Sequence, residues 1–309
     1  MRGAVRKEIP SIITPVITKG SIPQYPEFAQ LSLEFQEEIQ SILAHAIDGV
    51  SEYTFANLYL FREVYHYHVS ILPDRNLMVS GEQHGKRFFM TPIKAPAHAV
   101  LEELFSCHDY WKGIPESVLM PNRELFENLG IEIIGDRDNF DYLYLRTDLA
   151  ELTGKKYHKK RNLINTFVNA YKCEARPLSI ESIPHAVAVL DRWRTDKGSD
   201  ADYQACRRAL GLFTQLGLDG RIYYVEGKPA GWCLGEGLAQ GRIYAVHLEK
   251  GIDEYKGIYQ FMNQDFAASL AESFIYVNRE QDLGDKGLRQ AKMTYRPYGF
   301  VRKYIGRTI

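Results

Sequence analysis

One segment of the sequence concentrates positive charge on a predicted helix. The stretch GKKYHKKRNLINTF places five cations within seven residues: Lys155, Lys156, Lys159, Lys160 and Arg161. At about 100° per residue the four lysines cover an arc of about 140°, while Tyr157, Ile164 and Val168 line the adjoining face. Neighbouring cations repel one another, so this concentration favours a bound anion, and phosphate is the obvious candidate. The alternative is a solvated helix face.

A second basic segment near the C-terminus follows a pair of carboxylates. Residues 286–307 contain seven Lys or Arg residues and no acid. The cations that share one helix face, within about 60° of one another, are Arg289, Lys292 and Arg296. A neighbouring face carries Leu288, Ala291 and Tyr295. Because Glu280 and Asp282 precede this helix at the end of a predicted strand, the segment suits either a site for a zwitterionic group or a structural network of ion pairs.

Signatures of other enzyme classes are incomplete. The glycines of residues 235–241 are spaced one residue too widely for a dinucleotide fingerprint and lie between predicted strands, so we interpret them as turn residues. Residues 81–86 are one short of a Walker loop, and no GxSxG sequence occurs. His66 and His68 could share a strand face, but without a carboxylate cluster they predict no metal site. We give the same structural interpretation to Cys107, His108 and His247.

Composition indicates an ordinary globular protein with two domain-sized halves. The 309 residues are 45% hydrophobic and 25% charged, and their net charge is −1, so any affinity for nucleic acid must come from local patches. The four cysteines form no CxxC pair, which indicates reduced thiols and a cytoplasmic location. We expect neither a signal peptide nor a membrane span, because no uncharged apolar run approaches about 18 residues.

Mixed α and β elements are predicted for the first half. Large apolar side chains recur every four residues and predict a helix over residues 28–46. Three strands follow as a meander, over residues 65–72, 77–80 and 87–91. Helices are predicted over residues 98–110 and 123–129, and a strand begins at Asp141.

The second half alternates elements in the order of an acetyltransferase-type (GNAT) domain. Helices are predicted over residues 154–171, 183–195 and 200–216, and strands over 221–226, 230–234 and 242–248. A loop over residues 250–257 leads into a helix over 258–273, a strand over 274–278 and a helix over 287–295. In such a fold the turn at residue 258 would hold the pyrophosphate of coenzyme A, although the usual Gln/Arg-x-x-Gly-x-Gly/Ala sequence is absent.

Three segments together carry a family resemblance: the basic helix GKKYHKKRNLINTF, NREQDLGDKGLRQAKMTYRP from Asn278, and SEYTFANLYLFR from Ser51. They resemble the soluble catalytic domain of phosphatidylglycerol lysyltransferases and their stand-alone relatives. The resemblance implies a fold of α/β (α+β) class with two tandem GNAT-like domains, residues 1–150 and 151–309, the second opening with the basic helix that joins them. It also implies an aminoacyl-tRNA donor, an amine or hydroxyl acceptor on a lipid or peptide, and no separate cofactor. The multi-span membrane module of the lysyltransferases has no counterpart in this sequence. Peripheral contact between the protein and a membrane surface is compatible with the sequence.

The resemblance also implies roles for individual residues. Glu280 and Asp282 would bind the α-ammonium group of the donor. Arg289 and Lys292 would meet the terminal phosphate or the developing oxyanion, and Tyr295 could relay a proton. Together this predicts a catalytic set, Asp282, Arg289, Lys292 and Tyr295, and a substrate-binding set, Glu280, Asn278, Arg279 and Tyr255. The five cations of the basic helix would hold the backbone of the tRNA acceptor stem.

Two other functions stay open from the sequence. One is an N-acyltransferase that uses a coenzyme A thioester, and the other is a non-catalytic RNA-binding module. If the protein binds tRNA and this binding weakens steeply as the salt concentration rises, the result favours aminoacyl transfer over the coenzyme A enzyme. The Glu280 and Asp282 pair argues against simple RNA binding, because such binding gains nothing from carboxylates beside a cationic groove.

Overall fold

The computed structural model describes residues 20–198 and 202–308. The expectation that no signal peptide occupies the first 19 residues lies outside these ranges, as does the beginning of the helix predicted at residue 200. Within the described residues there are fourteen strands and ten α-helices.

The strands are β1 Ala29–Gln30, β2 His68–Ile71, β3 Leu77–Gln83, β4 Lys86–Met90, β5 Tyr110–Pro115, β6 Ile131–Gly135, β7 Asp141–Leu145, β8 Cys173–Pro177, β9 Asp219–Val225, β10 Lys228–Leu238, β11 Ile243–Gly251, β12 Tyr276–Asn278, β13 Gly299–Val301 and β14 Lys303–Thr308. The helices are α1 Gln36–Leu43, α2 Phe55–Phe61, α3 His98–Cys107, α4 Glu116–Asn128, α5 Arg146–Glu151, α6 His158–Ala170, α7 Ile183–Lys197, α8 Tyr203–Leu212, α9 Ile258–Ser269 and α10 Lys286–Met293.

These strands form two seven-stranded sheets. The first has the order β1-β2-β3-β4-β5-β14-β6, and the second has the order β13-β7-β12-β11-β10-β9-β8. Each is antiparallel except for one parallel pair, β4 with β5 and β11 with β12. The predicted mixed architecture of two mostly antiparallel sheets is therefore confirmed.

The two sheets exchange strands across the middle of the sequence. The last strand, β14, lies between β5 and β6 in the first sheet, whereas β7 lies between β12 and β13 in the second. The division into units at residue 150 stays a prediction. The exchange is stabilised by a buried cluster in which the Lys303 ammonium donates to the carboxylates of Glu52 and Asp141.

The two halves also share one apolar core. Leu58 and Leu60 of α2 belong to the same buried cluster as Cys206 and Leu210 of α8. Because Arg208 of α8 also donates to the Leu60 carbonyl, at 3.2 Å, packing and hydrogen bonding hold the halves together. This contact fixes the position of the segment from Ser51 to Arg62 against α8.

Candidate active site

The parallel strands β11 and β12 part within the second sheet. Their pairing runs from Ile243 opposite Tyr276 to Ala245 opposite Asn278, where β12 ends. Strand β11 continues to Gly251, so among the described strands none pairs with that edge of β11 beyond Ala245. The parting leaves a wedge, defined here as residues 246–251 on one side and 279–282 on the other. Its open strand edge offers backbone amides to a ligand, except at Gly251, whose N–H donates to Tyr259 Oη at 3.1 Å.

A β-bulge aims one side chain into this region. Strand β10 pairs Leu234 with Leu248 but Gly235 with Val246, which leaves His247 as the extra residue of β11. Such bulges redirect side chains and are common beside active sites. Gly235 makes the close approach feasible, because a Cβ atom there would lie 1.9 Å from the Ala245 carbonyl oxygen. This glycine lies within β10, so interpreting it as a turn residue was wrong.

The redirected histidine joins two carboxylates. The Nδ1 atom of His247 lies 2.7 Å from Glu280 Oε1, and its Nε2 atom lies 3.1 Å from Glu236 Oε1. Burial favours the neutral imidazole, but these two hydrogen bonds outweigh it and raise the pKa of His247 to about 10. With a charged imidazolium between two carboxylates, the cluster carries a net charge of −1 at neutral pH.

Glu280 is held in an unusual conformation at the centre of the site. Its φ angle is +54°, a left-handed region that costs a non-glycine residue about 1–3 kcal/mol. Its backbone N–H donates to Asn278 Oδ1 at 2.7 Å, and its carboxylate accepts from Asn57 Nδ2 at 3.2 Å. Strain of this kind persists where surrounding contacts impose it, and it is concentrated at functional sites.

Cations gather on the opposite side of β12. The Arg279 guanidinium lies 3.2 Å from the Glu249 carboxylate and 5.4 Å from the centre of the Tyr295 ring. The Lys160 ammonium lies 3.9 Å from the same ring. Burial, followed by the nearby Arg279, lowers the pKa of Lys160 to about 8, and burial raises the pKa of Tyr295 to about 12. The wedge thus has an acidic side and a basic side.

Asp282 occupies a fully buried position with several donors. Its oxygens accept from Tyr142 Oη at 2.6 Å, from Arg289 Nε at 2.8 Å and from the Gly284 N–H at 2.9 Å. Arg137 adds a further contact at 3.2 Å. Burial alone would raise the pKa of Asp282, but these donors hold it well below its usual range. The geometry favours the ion-pair network that the sequence left open.

Lys292 organises the backbone that carries Glu280. Its ammonium donates to the carbonyl oxygens of residues 279, 280 and 281, at 2.6, 3.1 and 2.6 Å. Burial, and then Arg279, lower the pKa of Lys292 to about 8. Lys292 is therefore a positioning residue. Arg289 and Lys292 are partly buried, whereas Arg296 and Leu288 are exposed.

The segments from Ser51 and from Asn278 meet behind the wedge. Asn278 Nδ2 donates to Asp141 Oδ2 at 3.0 Å, and the Ser51 N–H donates to the same oxygen at 2.9 Å. Asn57 joins the first segment to Glu280, as described above. Since Lys160 of the basic helix lies against the Tyr295 ring, all three segments that carry the family resemblance are linked by contacts.

The basic helix is only partly a free cationic face. Lys155 and Lys159 are exposed, whereas Lys156 pairs with Asp148 at 2.9 Å. Arg161 donates to the carbonyl oxygens of Leu152 and Gly154, so its guanidinium holds the turn before α6. Asp148 therefore compensates the charge of one of the four lysines. Phosphate binding by the five cations stays a prediction.

Two further sequence predictions concern the loop before α9. Tyr255 packs against Tyr171, with ring centres 5.3 Å apart. Gly257 has a φ angle of +99°, and a Cβ atom there would lie 2.5 Å from the Leu163 carbonyl oxygen of α6. The first turn of α9, where a coenzyme A pyrophosphate would bind, is therefore packed closely against α6.

The described part of the chain lacks both a metal-binding cluster and a membrane-spanning helix. Residues 20–198 and 202–308 contain no group of three or more His, Cys, Asp or Glu side chains that could hold a metal ion. Nor do these ranges include a helix long and apolar enough to cross a membrane.

The sequence did not single out several residues in or beside the wedge. The sequence pattern predicts a structural role for His247 and no role for Glu236, Glu249 or Asn57. Asn57 lies inside the segment that starts at Ser51, so the family resemblance contained a signal for it. His247 and Glu236 become visible only through the bulge between β10 and β11, which depends on strand register.

Comparison with known proteins decides the family. Residues 46–307 match the family described as phosphatidylglycerol lysyltransferase, C-terminal. The chain belongs to this family. An uncharacterized protein of Mycoplasmoides gallisepticum is 23% identical over 190 residues, which are 58% of this chain and 59% of that relative. The chain thus spans less than two thirds of that curated relative.

Solved structures agree with this membership. A conserved protein of unknown function from Bacteroides thetaiotaomicron is 28% identical, with a TM-score of 0.82 over 91% of this chain and 99% of that one. The C-terminal domain of a putative lysylphosphatidylglycerol synthetase from Agrobacterium fabrum is 14% identical, with a TM-score of 0.62 over 90% and 93% of the two chains. The L-PGS of Bacillus licheniformis is 14% identical, with a TM-score of 0.60 over 93% and 94%.

These likenesses confirm the predicted fold class, two tandem GNAT-like domains. The family is named for a lysyltransferase, so the chain has the framework of an acyl or aminoacyl transferase.

Proposed function

We propose that this protein transfers an aminoacyl group from aminoacyl-tRNA to an amine or hydroxyl acceptor, and that the wedge between β11 and β12 is its active site. The observation that carries this proposal is the bulge that places His247 between Glu236 and Glu280 at the open edge of β11. Family membership supports the class of reaction. The exposed Lys155 and Lys159 nearby support a polyanionic donor.

An aminoacyl ester is already activated, so the protein must position it, accept a proton and stabilise an oxyanion. In this function the ester carbonyl lies against the open edge of β11 between residues 246 and 250, whose amides stabilise the negative charge that develops on its oxygen. Glu280 accepts the proton of the attacking group, and His247 holds the Glu280 carboxylate in position. Lys292 and Asn278 keep Glu280 in place through the contacts given above.

Exposed cations on the basic helix would hold the tRNA backbone. We expect Lys155→Gln with Lys159→Gln to weaken tRNA binding and to reduce the slope of log affinity against log salt by about 1.5, because two phosphate contacts are lost. A filter-binding titration at several salt concentrations measures this. The exposed Lys86 and Lys228, at two hairpin turns, provide the matched double variant, which should bind like the unmodified protein. If both double variants show the same slope of log affinity against log salt, the lysines of the basic helix do not contact tRNA and form a solvated helix face.

A reaction with a pool of charged tRNAs tests the function itself. The purified protein is incubated with aminoacyl-tRNA and with lipid and peptide extracts, and the products are identified by mass spectrometry. We expect an acceptor whose mass increases by one amino-acid residue, and no such product with uncharged tRNA. A product formed only when acetyl-coenzyme A replaces aminoacyl-tRNA would contradict the proposal and favour the coenzyme A enzyme.

A further inference from the structure

A cavity of about 310 Å³ lies between the two halves of the protein, next to the wedge. Its walls come from the segment from α1 to the start of α2 and from the turn that joins β10 to β11. Ala44 and Gln240 are exposed at its rim, so the cavity opens to solvent. This volume lies near the lower end of the range for small-molecule sites, about 300–1,000 Å³.

The lining of the cavity combines an apolar surface with a single charge. Leu43, Val50, Phe55 and Leu238 provide apolar surface, and Glu236 provides the carboxylate. The described residues that line it include no Lys, Arg or His. An anionic headgroup such as a phosphate would therefore lose its hydration shell without gaining a cationic partner. A cationic group on an apolar stem suits both parts of the lining.

The cavity is connected to the proposed reaction site by residues of its own wall. Glu236 bonds to His247 at 3.1 Å, and the carbonyl of Gly49 accepts from Asn278, the last residue of β12, at 2.9 Å. Thr54 caps α2 by accepting from the Asn57 N–H, and Asn57 in turn donates to Glu280. A ligand in the cavity would thus have its charged end next to the acidic side of the wedge.

We infer that this cavity binds the acceptor, and that the acceptor is a primary amine on an uncharged aliphatic stem, such as the side chain of a lysine in a peptide. The inference rests on the proposed aminoacyl transfer and narrows its acceptor. The cluster of Glu236, His247 and Glu280, with its net charge of −1, attracts the ammonium group. The apolar walls hold the stem.

The transfer balances in atoms and charge. The acceptor enters as an ammonium ion and loses one proton to a carboxylate of the cluster, which passes it to solvent. The free amine then attacks the ester carbonyl of aminoacyl-tRNA, forming a C–N bond. The C–O bond to the terminal ribose breaks, and the second proton of the nitrogen goes to the departing ribose oxygen. The products are an amide and uncharged tRNA.

Direct binding of three six-carbon probes tests the cavity without any tRNA. We expect hexylamine to bind at least about tenfold more tightly than 1-hexanol in titrations followed by ligand-observed NMR, and hexanoate to bind most weakly. Glu236→Gln should remove the preference for the amine, and Ala46→Trp, which fills the cavity, should abolish binding of both amine and alcohol. Glu254→Gln, an exposed glutamate paired with Arg192, is the matched control and should behave like the unmodified protein.

Equal affinity for the three probes, or a preference for hexylamine that survives Glu236→Gln in a protein with normal melting temperature, would overturn the inference. Transfer is then measured to Nα-acetyl-lysine amide and to vesicles of phosphatidylglycerol or phosphatidylethanolamine. Transfer to the lysine amide supports the inference, whereas transfer only to either lipid overturns it and leaves the proposed function standing. Amine binding without transfer from any aminoacyl-tRNA would contradict the proposed function instead.

Discussion

Asp282→Asn is expected to lower the free energy of unfolding by about 3 kcal/mol, because the variant leaves Arg289 and Arg137 without their buried partner. Chemical denaturation at neutral pH measures this. The contribution of Asp282 to the free energy of unfolding decreases as the pH falls. Since the pKa of Asp282 is lower in the folded than in the unfolded protein, its stabilising effect is present above about pH 4 and is lost as pH falls towards the folded value. The variant should lack this part of the acid destabilisation.

Asp138→Asn is the matched control for this measurement. Asp138 also contacts Arg289, at 2.6 Å, but its side chain is 59% exposed. An exposed ion pair contributes at most about 1 kcal/mol, so the control should unfold almost like the unmodified protein. If the Asp282→Asn variant kept its full stability and lost only transfer activity, the result would contradict a purely structural role and support the catalytic role that the sequence predicts for Asp282.

Glu280→Gln is expected to reduce the rate constant of transfer by about 10²-fold or more, while the melting temperature changes little. The amide can keep an oxygen next to His247 and Asn57, so the hydrogen bonds that hold the loop can survive. The negative charge and the ability to accept a proton are lost, and proton transfer by a positioned side chain typically contributes about 10²–10⁴-fold. Single-turnover kinetics with labelled aminoacyl-tRNA measure the rate constant.

Glu226→Gln is the control for this experiment. Glu226 also has a left-handed backbone, with φ at +50°, and its carboxylate accepts from the Lys172 N–H at 2.7 Å, outside the wedge. Its rate constant should equal that of the unmodified protein. A Glu280→Gln variant with normal transfer kinetics would remove Glu280 from the chemistry.

Local sequence patterns predicted many of the elements but not all of the strand arrangement. The meander of β2, β3 and β4 was predicted because apolar residues alternate between turn residues. Strand β5 was missed, since all six of its residues are buried and no alternation is visible. Strand β14 pairs with β5 and β6, which are far away in sequence, and such pairing leaves no local signal.

Local sequence patterns likewise predicted only part of the active site. Helical periodicity correctly placed Arg289 and Lys292 on one face of α10, but it could not tell which face packs inward. The inward direction depends on Asp282 and on the carbonyl groups of residues 279–281, which bind these two cations. Likewise, His247 enters the site through a one-residue shift in the pairing of β10 with β11, and a single sequence does not reveal such a shift.

The position of the active site can be tested directly by hydrogen–deuterium exchange with a non-hydrolysable aminoacyl-tRNA analogue, in which an amide replaces the ester. If the wedge binds the aminoacyl end, amides in residues 246–251 and 279–282 should exchange more slowly with the analogue than with uncharged tRNA. The basic helix should be protected equally by both. Protection of the basic helix alone, or of the parallel pair β4 and β5 in place of β11 and β12, would contradict the assignment of the wedge as the active site.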